Sequence, residues 1–200
     1  MAQAWLPGAS VNPSSEDSGP MIGGAPRAVW FIWPADPHGV SAWSVAQRLI
    51  QLKRPPHLVW NPVTGETSQL LPITRAACGL AGDRGRNGRV CVQIRVIGSA
   101  HEPFTDTKLD GLDEILAWLD SWDIPRRWPA GPPQAFPQSL VSARSGRIWA
   151  RGGHFGHSQV PGASEGDPGS IDISRIIGEE SPEFSVPRPR EDFRVLERVI

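Results

Sequence analysis

The sequence has no tyrosine and only two lysines, Lys53 and Lys108, so nearly all of its cationic side chains are arginines. The two cysteines, Cys78 and Cys91, are too few for a disulfide framework, and Cys91 lies in an apolar run where a small buried residue is expected. No apolar run reaches the roughly 20 residues that span a bilayer. The formal net charge of −1 excludes the strongly basic surface typical of nucleic-acid binding.

The first residues, Met-Ala-Gln-Ala-Trp-Leu-Pro, have neither the basic nor the apolar segment of a secretory signal. We therefore expect synthesis in the cytoplasm, with release on cell lysis as a route outward. Proline and glycine are abundant, with 21 of each, which predicts many turns and loops. A hydrophobic content of 39% is sufficient for the core of a single domain.

Short apolar segments alternate with amphipathic ones, a pattern that predicts an α/β domain with a central mixed sheet flanked by helices. The predicted strands are 28–33, 57–60, 67–71, 90–97 and 147–150. The predicted helices are 41–53, 74–81, 107–122 and 171–177. We expect an irregular N-terminal leader at 1–27, the domain at 28–178 and a C-terminal extension at 179–200. The apolar end of this extension predicts docking on its own domain or an oligomer or assembly contact with another subunit.

The strand at 90–97 is the clearest in the chain, because its alternate residues form two different faces. Val90, Val92, Ile94 and Val96 form a wholly apolar face, whereas Cys91, Gln93, Arg95 and Ile97 form the other. A guanidinium matches the geometry of a carboxylate, so Gln93 beside Arg95 is a candidate site for an anionic group such as a peptide carboxylate. The alternative is an internal ion pair of Arg95 with Glu165.

The stretch 152–169 is rich in glycine and proline, which excludes a regular helix or a central strand. It nevertheless holds His154, His157, Glu165 and Asp167. A loop that gathers histidines and carboxylates is a candidate metal or acid–base site. The alternative is a loop whose shape is maintained by hydrogen bonds of His157 and Asp167 to the backbone.

The sequence from 156 to 172, Gly-His-Ser-Gln-Val-Pro-Gly and later Asp-Pro-Gly-Ser-Ile-Asp, resembles the zinc-binding end of N-acetylmuramoyl-L-alanine amidases of the peptidoglycan-recognition-protein type. Further segments look like actinobacterial or actinophage members of that family: 5–9, 56–62, 89–94 and 130–133. The resemblance covers most of residues 5–177. It implies the type-2 amidase fold.

In this family, zinc is held by a histidine on the first core strand, a histidine in the Gly-His-Ser motif and an aspartate or cysteine in the late loop. The open fourth position activates a water molecule. The resemblance places His157 at the second ligand and Asp167 at the third. Phe31 stands where the first ligand belongs, and Arg95 where a strand glutamate belongs. Glu165 stands where the family has lysine or histidine.

These replacements predict that no catalytic set is intact. Phe31 has no lone pair for a metal, and Arg95 cannot act as a base. Two remaining ligands would bind zinc far more weakly than three, so we expect no cofactor unless the chain is an active enzyme. We hypothesise that Arg95 and Glu165 form a charge-swapped pair across the vacant site.

The altered cleft is predicted to include further side chains beside Phe31, Arg95 and Glu165. These are Trp33, His57 and Gln93. Trp33 is a candidate to fill the cleft, and exposed tryptophans can stack on sugar rings, although core packing is the expectation for most of them. His57 precedes an apolar strand and is expected to be a hydrogen-bonded structural histidine near the groove.

The sequence supports three functions. The first is an amidase-like pseudoenzyme without zinc hydrolysis that acts as a peptidoglycan-binding or protein-interaction module. The second is an active zinc N-acetylmuramoyl-L-alanine amidase that lyses cell walls. The third is a structural component of a phage particle or similar assembly that uses the amidase fold. The partner is accordingly peptidoglycan or a protein.

Overall fold

The structure, a computed structural model, describes residues 2–99, 103–104, 108–135, 138–141 and 144–178. Within them, six strands form one sheet in the order β1-β4-β3-β5-β2-β6. The strands are β1 (Ser10–Val11), β2 (Arg27–Pro34), β3 (Leu58–Trp60), β4 (Thr67–Gln69), β5 (Cys91–Gly98) and β6 (Gly153–Gly156). The pair β3 and β4 is antiparallel, and the other paired strands are parallel. The predicted central mixed sheet is therefore confirmed.

Four helices accompany the sheet in the described part of the chain. They are α1 (Ala42–Gln51), α2 (Leu112–Asp120), α3 (Gly146–Trp149) and α4 (Ser174–Ile177). Single 3-10 turns occupy Gly82–Arg86, Gln138–Val141 and His157–Gln159. None of the helices in the described ranges has both the length and the apolar character needed to cross a bilayer.

Helix α1 begins where two side chains satisfy its free N–H groups. Ser41 caps it, with Oγ accepting from the Ser44 N–H at 3.1 Å. The Glu66 carboxylate, from the turn between β3 and β4, accepts from the N–H groups of Ala42 and Trp43 at 2.9 and 3.1 Å. The helix predicted at 41–53 is therefore confirmed.

The two faces of β5 pack as predicted. Its apolar face joins the main core, together with α2 and α4. On the opposite face, Cys91 packs with Phe31 and Phe155, and Ile97 packs with α1. Gln93 and Arg95 lie between these two apolar clusters. This arrangement leaves a polar gap on one side of the sheet.

Two local predictions are wrong. The helix expected at 74–81 does not form, because Ala77 O and Gly79 N are hydrogen-bonded to the side chain of Gln93 instead of to helical partners. The strand expected at 147–150 is the short helix α3, which begins at Ser145, whose Oγ accepts from the Ile148 N–H. Its Trp149 packs on Phe155, a tertiary contact that no local pattern predicts.

The leader at 2–27 is mostly irregular, but it is integrated into the fold. Strand β1 pairs with β4, and Leu6 is buried in the main core. The Leu6 N–H donates to Gln69 Oε1 at 2.6 Å, and Gln3 O accepts from the indole N–H of Trp118 at 2.8 Å. The predicted extension at 179–200, with its docking or assembly contacts, lies outside the described residues.

Candidate functional site

The candidate site forms where β2, β5 and the turn after β6 come together. Phe31 and Arg95 are paired in register on the parallel strands β2 and β5. On the other side of β2, strand β6 is paired as far as Gly156 and leads directly into the turn that carries His157. Residues far apart in sequence therefore meet because three parallel strands lie side by side.

His157 is the central side chain of the site and is buried. Its Nδ1 lies 2.9 Å from Asp167 Oδ1 and 3.5 Å from Glu165 Oε2. Its ring centre lies 4.4 Å from that of Phe31. Because the carboxylates are acceptors, Nδ1 carries the proton and donates to Asp167. The structure thus brings together Phe31, His157 and Asp167.

Asp167 is bound at both carboxylate oxygens. Oδ1 accepts from His157, and Oδ2 accepts from the Ile32 N–H at 2.8 Å. Burial by itself would raise the pKa of Asp167, but the hydrogen bond and charge of His157, the Ile32 N–H and the charge of Arg95 together hold the pKa below its usual value. Asp167 is therefore a carboxylate at neutral pH.

Arg95 is 8% exposed, and its guanidinium has two close contacts in the described residues. Nη1 donates to Ile32 O at 2.9 Å, and the guanidinium carbon lies 4.6 Å from the ring centre of Phe31. Burial lowers the pKa of Arg95, whereas the charges of Asp167 and Glu165 act to raise it. No direct ion pair joins Arg95 to Glu165 among the described residues, because Glu165 lies beside His157 instead.

A cavity of about 410 Å³ opens beside these residues. Its apolar wall includes Trp33, Leu49 and Leu52, so Trp33 forms a wall of the cleft. Its charged side chains are Arg54, Arg95, Glu165 and Asp167. Arg95 and Glu165 thus line the same cavity, and the described residues show no ion pair between them.

A second cavity of about 260 Å³ lies next to the first. It is lined by His157, Arg84 and the loop residues 160–164. Arg54 and Glu165 line both cavities, so the two form arms of one cleft that meet at these side chains. The wall of the first arm is mainly apolar, whereas the second arm is lined by a mixture of polar residues, such as Arg84 and His157, and apolar ones, such as Leu80 and Val160.

His57 and Gln93 were also expected in the cleft, and neither lines the two cavities described above. His57 is fully buried, with Nδ1 accepting from Gln93 N at 3.0 Å and Nε2 donating to Arg75 O at 2.7 Å. Burial lowers the pKa of His57 to about 4, so the ring is neutral. The Gln93 amide accepts from Gly79 N at 2.8 Å and donates to Ala77 O at 3.0 Å. Both side chains support the 75–79 loop.

His154 faces away from His157, because alternate residues of β6 point to opposite sides of the sheet. Its ring stacks on Trp30 and Trp128, and Nδ1 accepts from the Trp30 indole N–H at 3.1 Å. Burial lowers the pKa of His154 to about 3. It is a neutral core residue and has no part in the cleft.

Two features of the site were missed by the sequence analysis. Arg54 stands at the junction of the two arms, although nothing in the sequence marks it as different from other arginines. Glu165 lies close to His157, whereas the resemblance had suggested a position opposite Arg95. The spacing of Glu165 two residues before Asp167 was visible, but the direction of its side chain depends on the loop.

The donor set fits a divalent metal in number and kind. One imidazole nitrogen and two carboxylate oxygens, from His157, Glu165 and Asp167, lie within 4.8 Å of one another. Zinc takes such ligands at about 2.0–2.2 Å, which places tetrahedral donor atoms roughly 3.4 Å apart. These three residues would hold a zinc ion, which would supply Lewis acidity when bound. Phe31 supplies no donor.

The sheet order and helices define the class of protein: the chain has the type-2 amidase or peptidoglycan-recognition-protein fold. No protein-family model matches the sequence, and no curated protein sequence matches it significantly.

Among solved structures, the chain is similar to the endolysin N-acetylmuramoyl-L-alanine amidase LysCS from Clostridium intestinale URNW, with a TM-score of 0.52. The two are 9% identical over 86% of this chain and 95% of LysCS. A selenomethionine derivative of AmpD gives a TM-score of 0.48 at 14% identity, over 88% of this chain and 96% of AmpD. The peptidoglycan recognition protein PGRP-Hd from Alvinella pompejana gives 0.39 at 12% identity, over 56% of this chain and 71% of its own. The fold is assigned from the structural similarity to LysCS, whose TM-score is above 0.5.

Proposed function

We propose that the chain is an amidase-like pseudoenzyme that binds peptidoglycan without hydrolysing it. The fold it shares with LysCS, an amidase, supports a role at the cell wall. The observation that carries the proposal is Arg95, a buried guanidinium that β5 presents to the cleft. Its setting favours the binding of an anionic peptide group over the activation of water.

Hydrolysis of an amide requires a group that accepts a proton from the attacking water. Arg95 stays protonated near neutral pH and cannot accept one. Asp167 is bound at both oxygens by His157 and Ile32 N–H. Strands β2 and β5 therefore contribute a phenyl ring and a cation, neither of which is a metal ligand or a base.

The apolar-walled arm suits a peptide that carries a carboxylate and small apolar side chains. The wall of Trp33, Leu49 and Leu52 can bury apolar groups, at roughly 25 cal/mol per Å². Toward the described residues, Arg95 uses one of its five N–H donors, on Ile32 O, and a further donor can serve a ligand carboxylate. Peptidoglycan combines such peptides with sugars.

The sequence likeness of 89–94 and 130–133 to actinobacterial and actinophage amidases supports, within this proposal, an origin in that group. A wall-binding role implies access to the wall by virion association or by release on lysis.

Co-sedimentation with purified peptidoglycan, together with a dye-release assay on the same material, tests the proposal. We expect saturable binding, no release of soluble fragments, and at least about tenfold weaker binding in Arg95→Gln. Arg147→Gln is the matched control, because Arg147 is exposed and lies outside both arms of the cleft. Absence of binding by the wild-type protein would overturn the binding role.

An active amidase is the second candidate, favoured by the convergence of His157, Glu165 and Asp167 on one point. The dye-release assay repeated with added zinc decides between the two. Release that disappears in His157→Ala would establish hydrolysis, and its absence at every zinc concentration supports the pseudoenzyme.

A further inference from the structure

We propose that Glu165 is the third ligand of a divalent-metal site that it forms with His157 and Asp167, and that this site takes zinc. The resemblance assigned Glu165 no ligand role and left only two residual ligands. The proposed site lies wholly within the segment 157–167 and needs nothing from Phe31. It goes beyond peptidoglycan binding and does not depend on it.

The three donor atoms lie within 4.8 Å of one another, close enough for small adjustments to place them around one zinc ion. The distances from His157 Nδ1 to Asp167 Oδ1 and to Glu165 Oε2 are 2.9 and 3.5 Å, on either side of the roughly 3.4 Å expected for adjacent zinc ligands. The Nδ1 atom has one proton, which goes to Asp167. Among the described residues, Glu165 Oε2 therefore lies 3.5 Å from a nitrogen whose single proton is donated to Asp167 and not to Glu165.

Two of the three ligands are held in place by contacts outside the site. Asp167 Oδ2 accepts from the Ile32 N–H at 2.8 Å, and the Asp167 backbone oxygen accepts from the Ser158 N–H at 2.7 Å. The Phe31 ring packs on the imidazole of His157 and limits its rotation. Glu165, whose side chain is 48% exposed, remains able to adjust to an ion. Such outer contacts orient metal ligands.

The charges at the site favour a cation. Glu165 and Asp167 bring two carboxylates beside His157, and the buried Arg95 offsets one of their charges. Arg54 also lines the cleft, and because it and Glu165 are both exposed, solvent screens both of these charges. A divalent ion between the carboxylates would relieve their mutual repulsion.

An ion at this position would fix the loop that lines both arms of the cleft. Residues 160–164 line the second arm, and Glu165 to Asp167 line the first. Because the ligands lie at both ends of this loop, the metal would brace the cleft. A structural role of this kind requires no catalytic base.

Zinc titration of the EDTA-treated protein by calorimetry, with thermal unfolding in parallel, tests the site. We expect one zinc per chain, a zinc-dependent rise in Tm, and at least about tenfold weaker zinc affinity in Glu165→Gln. Glu16→Gln is the matched control, since Glu16 is exposed and far along the chain from the site. Substitution with cobalt is expected to give the visible absorption typical of tetrahedral coordination.

Absence of saturable zinc binding in the wild-type protein, or equal affinity in Glu165→Gln and wild type, would overturn the proposal. Asp167→Asn gives a second test, and unchanged affinity in that variant would also contradict it. Peptidoglycan co-sedimentation in EDTA is a separate measurement. Failure of zinc binding alone therefore refutes the metal site, and failure of co-sedimentation alone refutes the binding function.

Discussion

Phe31 and Arg95 lie opposite each other on neighbouring parallel strands, with the guanidinium carbon 4.6 Å from the centre of the phenyl ring. The same guanidinium donates to Ile32 O, the carbonyl next to Phe31 in sequence. The two residues that depart from the amidase pattern on β2 and β5 are therefore in contact and stabilise one another. A cation over an aromatic face contributes about 2 kcal/mol when both are desolvated.

A double-mutant cycle with Phe31→Leu and Arg95→Met measures this contact. We expect each single variant to lose stability and the coupling between them to be about 1–2 kcal/mol. Denaturant unfolding of the four proteins gives the value. Additive effects, with coupling near zero, would show that the contact in the cleft does not stabilise the fold.

Phe31→His introduces a nitrogen donor beside His157 and Asp167. Because Phe31 is 1% exposed, the change buries a polar group, and we expect a stability loss of about 1–3 kcal/mol in EDTA. Zinc affinity is expected to rise at least about tenfold, since a further ligand joins the donor set. The double variant Phe31→His with Arg95→Glu also lacks the nearby cation, and we expect it to bind zinc more tightly than Phe31→His alone. Phe155→His is the control, because it also replaces a buried phenyl ring by an imidazole. Zinc affinity should not rise in this variant.

Arg95→Met is expected to raise the pKa of Asp167, because the guanidinium charge is one of the factors that hold this pKa low. Asp167 contributes stability above the unfolded carboxyl pKa, and this contribution is lost as pH falls through the folded pKa. The loss is therefore expected at higher pH in Arg95→Met than in the wild type. NMR titration of the Asp167 carboxyl carbon checks the shift. Arg95→Lys keeps the charge and should retain most of the low pKa.

His57 and His154 make the protein sensitive to acid. Burial lowers the pKa of His57 to about 4 and of His154 to about 3, whereas both take up protons near pH 6.5 once unfolded. Their contribution to stability is full above pH 6.5 and declines as pH falls toward 4 and 3, by up to about 1.4 kcal/mol per pH unit for each residue. Urea unfolding between pH 7 and 4 gives the slope. His154→Gln removes one of the protons taken up on unfolding and should therefore lower the slope by up to about 1.4 kcal/mol per pH unit. An unchanged slope would contradict the assignment of His154 as a neutral buried residue.

Gln93→Leu is expected to destabilise the fold by about 2–4 kcal/mol, although Gln93 lies outside the cleft. The substitution leaves the buried Gly79 N–H without its side-chain acceptor, at a cost of about 1–3 kcal/mol. It also removes one of two hydrogen bonds to Ala77 O, which keeps the one from Ser18 Oγ at 3.3 Å, and this loss costs about 1 kcal/mol. Thermal unfolding measures the loss. Gln134→Leu, at an exposed position, is the control and should change stability by less than about 0.5 kcal/mol.

Local patterns in the sequence were sufficient to predict many of the strands and helices. The alternation at 90–97 predicts β5 and both of its faces, and Ser41 with the apolar spacing behind it predicts α1. These features depend on neighbours a few residues away, so the sequence contains them directly. The helix expected at 74–81 failed because its backbone groups bond to Gln93, which is distant in sequence.

The sequence by itself determined the α/β class, the main strands and helices, and the residue types of the cleft, with Phe31, His157 and Asp167 among them. Only the tertiary structure decided that Glu165 lies beside His157 instead of Arg95, and that Gln93 supports a loop. The physical reason is that these contacts depend on strand order and register. The pairing of β2 with β5 and β6 joins segments more than 60 residues apart, and no local pattern encodes which side chains it brings within hydrogen-bonding distance.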